Sequence, residues 1–135
     1  MILVLDASMA LAWLFQRQLA SEADCAERVL SSLTLARAVV PPVWHLEVAN
    51  GALVGERRKV IGVAEADAFL ALLGSLPVAT DSASLPPPIA LARQHGLSTY
   101  DACYLELALR LRADLATFDR RLAAAARNAG CAVFS

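Results

Sequence analysis

Cysteine is scarce in this sequence and follows no ligand pattern. Among 135 residues only Cys25, Cys103 and Cys131 are cysteines, and no CxxC or Cys/His spacing connects them. An odd number of widely separated cysteines argues against a disulfide framework and against a zinc site. We expect all three to be small core residues of a cytoplasmic protein, where thiols stay reduced.

Long apolar runs are also missing. No uninterrupted stretch approaches the roughly 18 residues that a membrane span needs. The apolar segment from Met1 to Phe15 has no basic region at its start and is interrupted by Asp6, so it does not fit a signal peptide. Repeats, linkers and low-complexity tracts are absent as well, apart from the run Pro86-Pro87-Pro88. These absences predict a single domain over residues 1–135 with no membrane association.

Positive charge is not in excess. The formal net charge is −1 and the only lysine is Lys59, so no overall field attracts nucleic acid from a distance. A nucleic acid would have to be held by local basic groups, although basic runs are usually solvated helix faces. The candidates are Arg57, Arg58 and Lys59 in one run, Arg110 and Arg112 in a second, and Arg120 and Arg121 in a third.

Apolar residues are abundant instead. They make up 58% of the chain, and the mean hydropathy is +0.52. Soluble domains typically contain about 45–50% apolar residues. The surplus favours a surface that is buried against a second copy or another protein, with Ala/Leu-rich helices as the plainer explanation.

Short apolar runs alternate with amphipathic stretches along the chain. The run from Ile2 to Leu5 is too short for a helix, which is typical of a strand buried on both faces in a parallel sheet. Similar patterns predict strands at 38–40, 76–79, 115–118 and 132–134, and helices at 9–15, 22–33, 42–53, 64–73, 88–95, 100–111 and 122–129. The dipeptide Asn50-Gly51 leaves a turn open as an alternative within the third helix. The alternation predicts a three-layer α/β/α sandwich around a central, mainly parallel sheet.

Four of the thirteen acidic residues lie in apolar surroundings. They are Asp6, Glu47, Asp101 and Asp119, and each follows a strand or stands in the opening turns of a helix. A buried charge without a partner is costly, so each needs a cation, hydrogen bonds or a raised pKa. Because ligands bind at the carboxyl edge of open α/β sheets, we expect the four to gather there. Taken singly, Asp6 and Asp119 fit simple helix caps equally well, and Glu47 fits a solvated helix residue.

A divalent cation suits such a group of carboxylates. Helix N-termini stabilise an anion by only about 0.3–1 kcal/mol each, which is too little for four. Mg²⁺ and Mn²⁺ prefer carboxylate and water ligands, and they leave positions open for phosphate oxygens. Such an ion activates water for in-line attack on phosphorus and stabilises the charge that develops. The four acids therefore predict hydrolytic chemistry on phosphate esters.

These residues, in this order, resemble the PIN domain family. The resemblance covers nearly the whole chain and lies in four segments: Ile2-Leu-Val-Leu-Asp-Ala-Ser8, Pro42-Val-Trp-His-Leu-Glu-Val-Ala-Asn50, Tyr100-Asp-Ala-Cys-Tyr-Leu105 and Leu115-Ala-Thr-Phe-Asp-Arg-Arg-Leu122. It implies that Asp6, Glu47, Asp101 and Asp119 bind the metal, with Ser8, Asn50 and Thr117 supporting them through hydrogen bonds. Gly51 stands where the family leads us to expect a larger residue.

The length of the chain resembles the single-domain VapC toxins of bacterial toxin–antitoxin pairs. That resemblance implies a Mg²⁺- or Mn²⁺-dependent endoribonuclease that cleaves structured RNA, such as loops of transfer or ribosomal RNA. It further implies a small antitoxin whose tail blocks the acidic site, and a homodimer. The basic residues that would contact RNA phosphates are Arg57, Arg58, Lys59, Arg120 and Arg121.

Two other functions fit parts of the sequence. In a phosphotransferase or phosphatase domain, Asp6 would be the nucleophile beside Mg²⁺. However, Asp6-Ala7-Ser8 has no second acid two residues on, and Lys59 lies in an Arg-rich run away from any strand end. A PIN-like subunit that binds a partner without catalysis is the third possibility, although all four acids are present.

Overall fold

The computed structural model describes residues 1–134, which form four strands and seven helices. In chain order these are β1 (Ile2–Leu5), α1 (Ala7–Leu11), α2 (Ala20–Ser32), β2 (Arg37–Val40), α3 (Val43–Arg57), α4 (Val63–Ser75), β3 (Val78–Thr80), α5 (Ile89–His95), α6 (Thr99–Leu111), β4 (Asp114–Ala116) and α7 (Arg120–Asn128). The predicted order of strands and helices is largely confirmed, and so is the α/β fold class.

The four strands form one parallel sheet in the order β3-β2-β1-β4. Leu3 lies opposite Ala38 on one side and Asp114 on the other, which fixes the register of the central strand. Leu3, Val4 and Leu5 are fully buried. Side chains on both faces of β1 are therefore covered, as expected for the centre of a parallel sheet packed between helices.

The sheet reverses its direction of growth beside β1. Successive connections place β2 next to β1 and β3 next to β2, whereas β4 returns to the other side of β1. The carboxyl ends of β1 and β4 thus flank a topological switch point, where open α/β sheets form ligand crevices. The backbone nitrogen of Asp6 donates to the carbonyl of Ala116 at 3.0 Å, so the two strand ends stay side by side.

Helix α3 passes through Asn50 and Gly51 without a turn. A Cβ atom on Gly51 would lie 2.4 Å from Cδ1 of Leu11, in the last turn of α1. Glycine therefore lets α1 and α3 approach each other closely at this point. This contact explains why a larger residue, expected from the family resemblance, is absent here.

Three local predictions were wrong. The first helix ends at Leu11 rather than at Phe15, and the residues that follow form turns. The Trp13 indole donates a hydrogen bond to the carbonyl of Ala26 in α2, which holds this segment away from the helix axis. The last strand is reduced to one bridge between Val133 and Leu115. The fourth strand stops at Ala116 rather than at residue 118, since the polar groups that follow bond to helix α1 instead of the sheet.

Neither disulfides nor membrane spans occur among residues 1–134. Cys25 and Cys131 are buried free thiols, and Cys103 is a partly buried one. No helix in the described part of the chain combines the length and apolar character needed to cross a bilayer.

Candidate metal-binding acidic site

Asp6 lies immediately after β1 and is 6% exposed. It occupies the position before α1, but its carboxylate makes no capping bond to that helix. Instead, Oδ2 accepts hydrogen bonds from the hydroxyls of Ser8 and Thr117, each 2.6 Å long. Two donors on one oxygen hold the carboxylate in a fixed orientation and partly offset its burial.

Ser8 and Thr117 also bond to the backbone that follows β4. Ser8 Oγ accepts from the backbone nitrogen of Phe118 at 2.9 Å, and Thr117 Oγ1 accepts from that of Asp119 at 2.9 Å. The same two hydroxyls therefore contact the Asp6 carboxylate and the loop that presents Asp119. This network joins α1 to the start of α7 across the switch point.

Asp119 and Asp101 stand at the N-terminal ends of two helices. Oδ1 of Asp119 caps α7 by accepting from the backbone nitrogen of Leu122 at 3.0 Å. Asp101 lies in the first turn of α6, and its backbone nitrogen donates to the capping hydroxyl of Ser98 at 3.1 Å. Both carboxylates thus benefit from the partial positive charge of a helix N-terminus.

Glu47 reaches the same region from α3. Its Oε1 accepts a 2.6 Å hydrogen bond from the hydroxyl of Tyr104, which is fully buried on α6. Tyr104 stands one turn after Asp101, so a single helix positions both acids relative to each other.

The carboxylates affect each other's ionisation. Burial raises the pKa of Asp6 above its usual range, and the charge of Asp119 raises it further. Burial also raises the pKa of Glu47, and the charges of Asp6 and Asp101 add to that effect. For Asp101 the pKa is raised by burial first and then by Asp119 and Asp6. These charge interactions link Asp6 with each of the other three acids.

Among residues 1–134 no basic residue forms an ion pair with this group. Within residues 1–134 the ion pairs are Arg17 with Glu22, Arg28 with Asp24, and Arg110 with both Asp81 and Glu106. Asp6, Glu47, Asp101 and Asp119 take part in none of them. One nearby cation, Arg121, lowers the pKa of Asp101, but it forms no ion pair within the described part of the chain.

The donor set fits a hard divalent cation held partly through water. In the described residues no three acidic, His or Cys side chains are close enough together to ligate one ion directly. Mg²⁺ typically binds one or two carboxylates and keeps several waters, so acids that are near each other but not in contact suit it. The four carboxylate donors also favour Mg²⁺ or Mn²⁺ over zinc, which prefers thiol and imidazole ligands.

The other predicted site residues differ in how close they lie to the acids. Asn50 is exposed on α3, and its side chain makes no hydrogen bond to residues 1–134, so it does not support the acids here as expected. Arg57, Arg58 and Lys59 are exposed at the far end of α3, about 15 Å from Glu47 by the rise of the helix. Arg120 and Arg121 open α7 directly beside Asp119.

Two contacts at the site were not predicted from the sequence. The first is the hydrogen bond from Tyr104 to Glu47, although the one-turn spacing of Tyr104 from Asp101 could have indicated a polar role. Arg17 lies with its guanidinium carbon 4.6 Å from the centre of the Phe118 ring while it pairs with Glu22. No motif connects residues 17 and 118, so this contact had no sequence signal.

Comparisons with known proteins agree with this architecture. The model of the PIN domain family matches residues 3–128. A search of curated proteins found no match. Among solved structures, the chain is similar to PAE2754 from Pyrobaculum aerophilum, with 24% sequence identity, a TM-score of 0.65, and coverage of 91% of this chain and 78% of that one. At this identity the likeness shows the fold alone.

Proposed function

Since this chain belongs to the PIN domain family, whose members are generally metal-dependent nucleases, we propose that it is a Mg²⁺- or Mn²⁺-dependent endoribonuclease. The observation that carries the proposal is the group of four carboxylates at the switch point of the sheet. Burial, together with the charges of neighbouring acids, raises the pKa values of Asp6, Glu47 and Asp101, and none of the four acids forms an ion pair among residues 1–134. A divalent cation would relieve this repulsion.

When bound, the ion activates water for attack on phosphorus and stabilises the charge of the transition state. The residues of the chain supply position and orientation. Ser8 and Thr117 fix the Asp6 carboxylate, and Tyr104 fixes Glu47. Asp101 and Asp119 complete the set from two helix N-termini. Hydrogen bonds of this kind to metal-binding carboxylates typically improve metal affinity 10- to 100-fold.

The proposal extends to the biological setting. We infer that the protein is a VapC-type toxin that cleaves loops of structured RNA and is held inactive by a small antitoxin. The high apolar content of the chain supports a protein partner or a homodimer. So do the exposed apolar side chains on α3 and α4, among them Leu46, which is 74% exposed, and Leu72, which is 54% exposed.

The decisive experiment compares the wild type with Asp101→Asn. Purified protein, free of any bound partner, is incubated with total RNA and Mn²⁺, and the cut ends are mapped. We expect Asp101→Asn to abolish cleavage, because it removes a charge that the cation needs. The matched control is Asp67→Asn, an exposed acid on α4 outside the site, which should cleave like the wild type. Full activity in Asp101→Asn would refute the assignment.

A second readout does not depend on cleavage. If Mn²⁺ binds only the folded state, a concentration of 100 times its Kd stabilises that state by about 2.7 kcal/mol. Thermal unfolding of the wild type and Asp67→Asn should therefore shift upward with Mn²⁺, and that of Asp101→Asn should shift much less. Labelling of Asp6 as an aspartyl-phosphate would instead favour a phosphotransferase, and Mn²⁺ binding without cleavage of any RNA would favour a silent binding subunit.

A further inference from the structure

A groove beside the acidic site has no assigned role. Its volume is about 390 Å³, which is within the usual range for sites that bind small ligands. Its walls are mainly apolar, and its polar groups are concentrated at one end. The residues that matter here are Pro42, Leu85, Pro86, Tyr100, Cys103 and Arg110.

None of the four acids lines the groove, but the pKa of its lining residue Cys103 is raised by burial and also by the charge of Glu47, so the groove lies next to the acidic site. Pro41 and Pro42 follow β2 and Asp81 follows β3, so the groove opens at the same carboxyl edge of the sheet. Its wall on α6 includes Thr99 and Tyr100, the two residues immediately before Asp101. A linear polymer bound across the acidic site can therefore extend into the groove.

One wall presents an aromatic ring to solvent. Tyr100, in the first turn of α6, is 61% exposed. Within residues 1–134 its ring stacks on no other aromatic side chain and meets no cation. The segment Pro86-Pro87-Pro88 lines the groove as well, and its fixed φ angles limit the freedom of that wall. The groove is thus preformed and contains an aromatic surface with no partner.

The charges in the groove disfavour a phosphate. Arg110 donates to Asp81 Oδ2 at 2.6 Å and to Glu106 Oε1 at 2.7 Å, so its positive charge is already matched by two negative ones. With one cation and two anions, this end of the groove is net negative. A phosphate group would be repelled, whereas a neutral heterocycle could place its apolar face on the ring and its N–H groups toward the carboxylates.

We infer that the groove binds an unpaired nucleobase of the RNA substrate, next to the scissile phosphate, with Tyr100 as the stacking surface. This inference rests on the proposed nuclease function. It deepens that function because it explains a requirement for single-stranded loops: only an unstacked base can enter the groove. Stacking of one base on an aromatic side chain contributes about 1–3 kcal/mol, which corresponds to at least a fivefold change in affinity.

The test combines variants of Tyr100 with removal of single bases. RNA oligonucleotides that contain the mapped cut site are made with an abasic nucleotide at each flanking position in turn. Binding is measured in EDTA, so that cleavage plays no part, and kcat and KM are measured separately with Mn²⁺. For the wild type we expect one abasic position to weaken binding at least fivefold.

Tyr100→Ala should weaken binding of the intact RNA by a similar factor, and the abasic nucleotide should then cause no further loss. Tyr100→Phe keeps the ring and should bind like the wild type. Leu35→Ala is the matched control, because Leu35 is 91% exposed in the turn between α2 and β2. In kinetic terms, Tyr100→Ala should raise KM more than it lowers kcat.

The inference would be overturned if Tyr100→Ala and every abasic position each weakened RNA binding and their effects simply added. It would also be overturned if Tyr100→Ala bound RNA as tightly as the wild type. A change in sedimentation of Tyr100→Ala with unchanged RNA binding would show that the groove holds a second copy of the chain instead. Failure of the nuclease function would look different, since neither the wild type nor Tyr100→Ala would then cleave RNA.

Discussion

The hydroxyl of Tyr104 donates a 2.6 Å hydrogen bond to Oε1 of Glu47, and this bond joins α6 to α3 beside the acidic site. Tyr104 is fully buried and Glu47 is partly buried. Asp101 lies one turn before Tyr104 on α6, so the bond also sets the distance between two of the acids. It favours the ionised form of Glu47 and opposes the effect of burial on its pKa.

Loss of this hydrogen bond should affect both stability and metal binding. We expect Tyr104→Phe to lower the free energy of unfolding by about 1.5–3 kcal/mol, as for other hydrogen bonds to charged groups. Metal affinity should fall about 10- to 100-fold, because Glu47 is no longer oriented. Urea unfolding in EDTA and calorimetric Mn²⁺ titration measure the two effects.

Tyr100→Phe is the control for this substitution. Because the Tyr100 ring is exposed, the free energy of unfolding of this variant should differ from that of the wild type by less than about 0.5 kcal/mol. Equal unfolding free energies and equal Mn²⁺ affinities in the two variants would contradict a positioning role for Tyr104.

The raised carboxyl pKa values predict a specific pH dependence. Asp6, Glu47 and Asp101 have higher pKa values in the folded chain than their ordinary values. Between those two values the folded state binds more protons than the unfolded state, so the free energy of unfolding decreases as pH rises. The metal-free protein should therefore lose this part of its stability as pH rises from about 4 through the raised pKa values.

The pH effect is isolated by comparing two proteins in EDTA. Asp101→Asn lacks one titrating group and its repulsion, so its unfolding free energy should fall less steeply with pH than that of the wild type. Asp81, whose pKa is lowered by Arg110, acts in the opposite direction but is common to both proteins and cancels. Parallel curves for the two proteins would show that Asp101 does not repel its neighbours.

Much of the fold could be predicted because its signals are local. The run Ile2–Leu5, the proline pair before α3 and the glycine after α5 each mark a strand or a helix end through their own backbone preferences. The acidic residues could be identified for a similar reason, since a charged residue directly after an apolar strand is an unusual local pattern. The parallel sheet then brings the ends of distant segments to one edge.

The features that were missed depend on contacts between distant segments. The position of Tyr100 in the wall of the groove depends on where the segment before α5 passes, which no local pattern indicates. Asn50 has suitable spacing from Glu47, but the rotation of α3 turns it to solvent. The prediction of a last strand was wrong because Val133 pairs with Leu115 only as an isolated bridge. Local patterns cannot specify such relationships.

The close approach of α1 and α3 can be tested with two glycines. At Gly51 a new Cβ would lie 2.4 Å from Leu11, whereas at Gly74 in α4 nothing lies within 4 Å. Alanine improves helix propensity by up to about 1 kcal/mol at both positions. At Gly51, which is only partly buried, the tip of the Leu11 side chain must shift to admit the new Cβ, and this overpacking should cost about 1 kcal/mol, the low end of the usual range, which offsets the gain in helix propensity.

We therefore expect Gly51→Ala to be less stable than Gly74→Ala in urea unfolding. Because α1 contains Ser8 and α3 contains Glu47, Gly51→Ala should also weaken Mn²⁺ binding, while Gly74→Ala should leave it unchanged. If Gly51→Ala were as stable as Gly74→Ala, the contact with Leu11 would not restrict the helix pair.

The basic residues should differ in how they bind RNA. Arg121 is close enough to lower the pKa of Asp101, whereas Arg57, Arg58 and Lys59 lie about 15 Å from Glu47. For a short oligonucleotide spanning the cut site, we expect Arg121→Gln to reduce the salt dependence of binding by about one phosphate contact. Simultaneous replacement of Arg57, Arg58 and Lys59 by Gln should leave binding of that oligonucleotide unchanged and weaken binding only of longer, structured RNA. Binding measured in EDTA at several salt concentrations separates the two groups, and an equal loss on the short oligonucleotide would mean that the RNA path runs along α3.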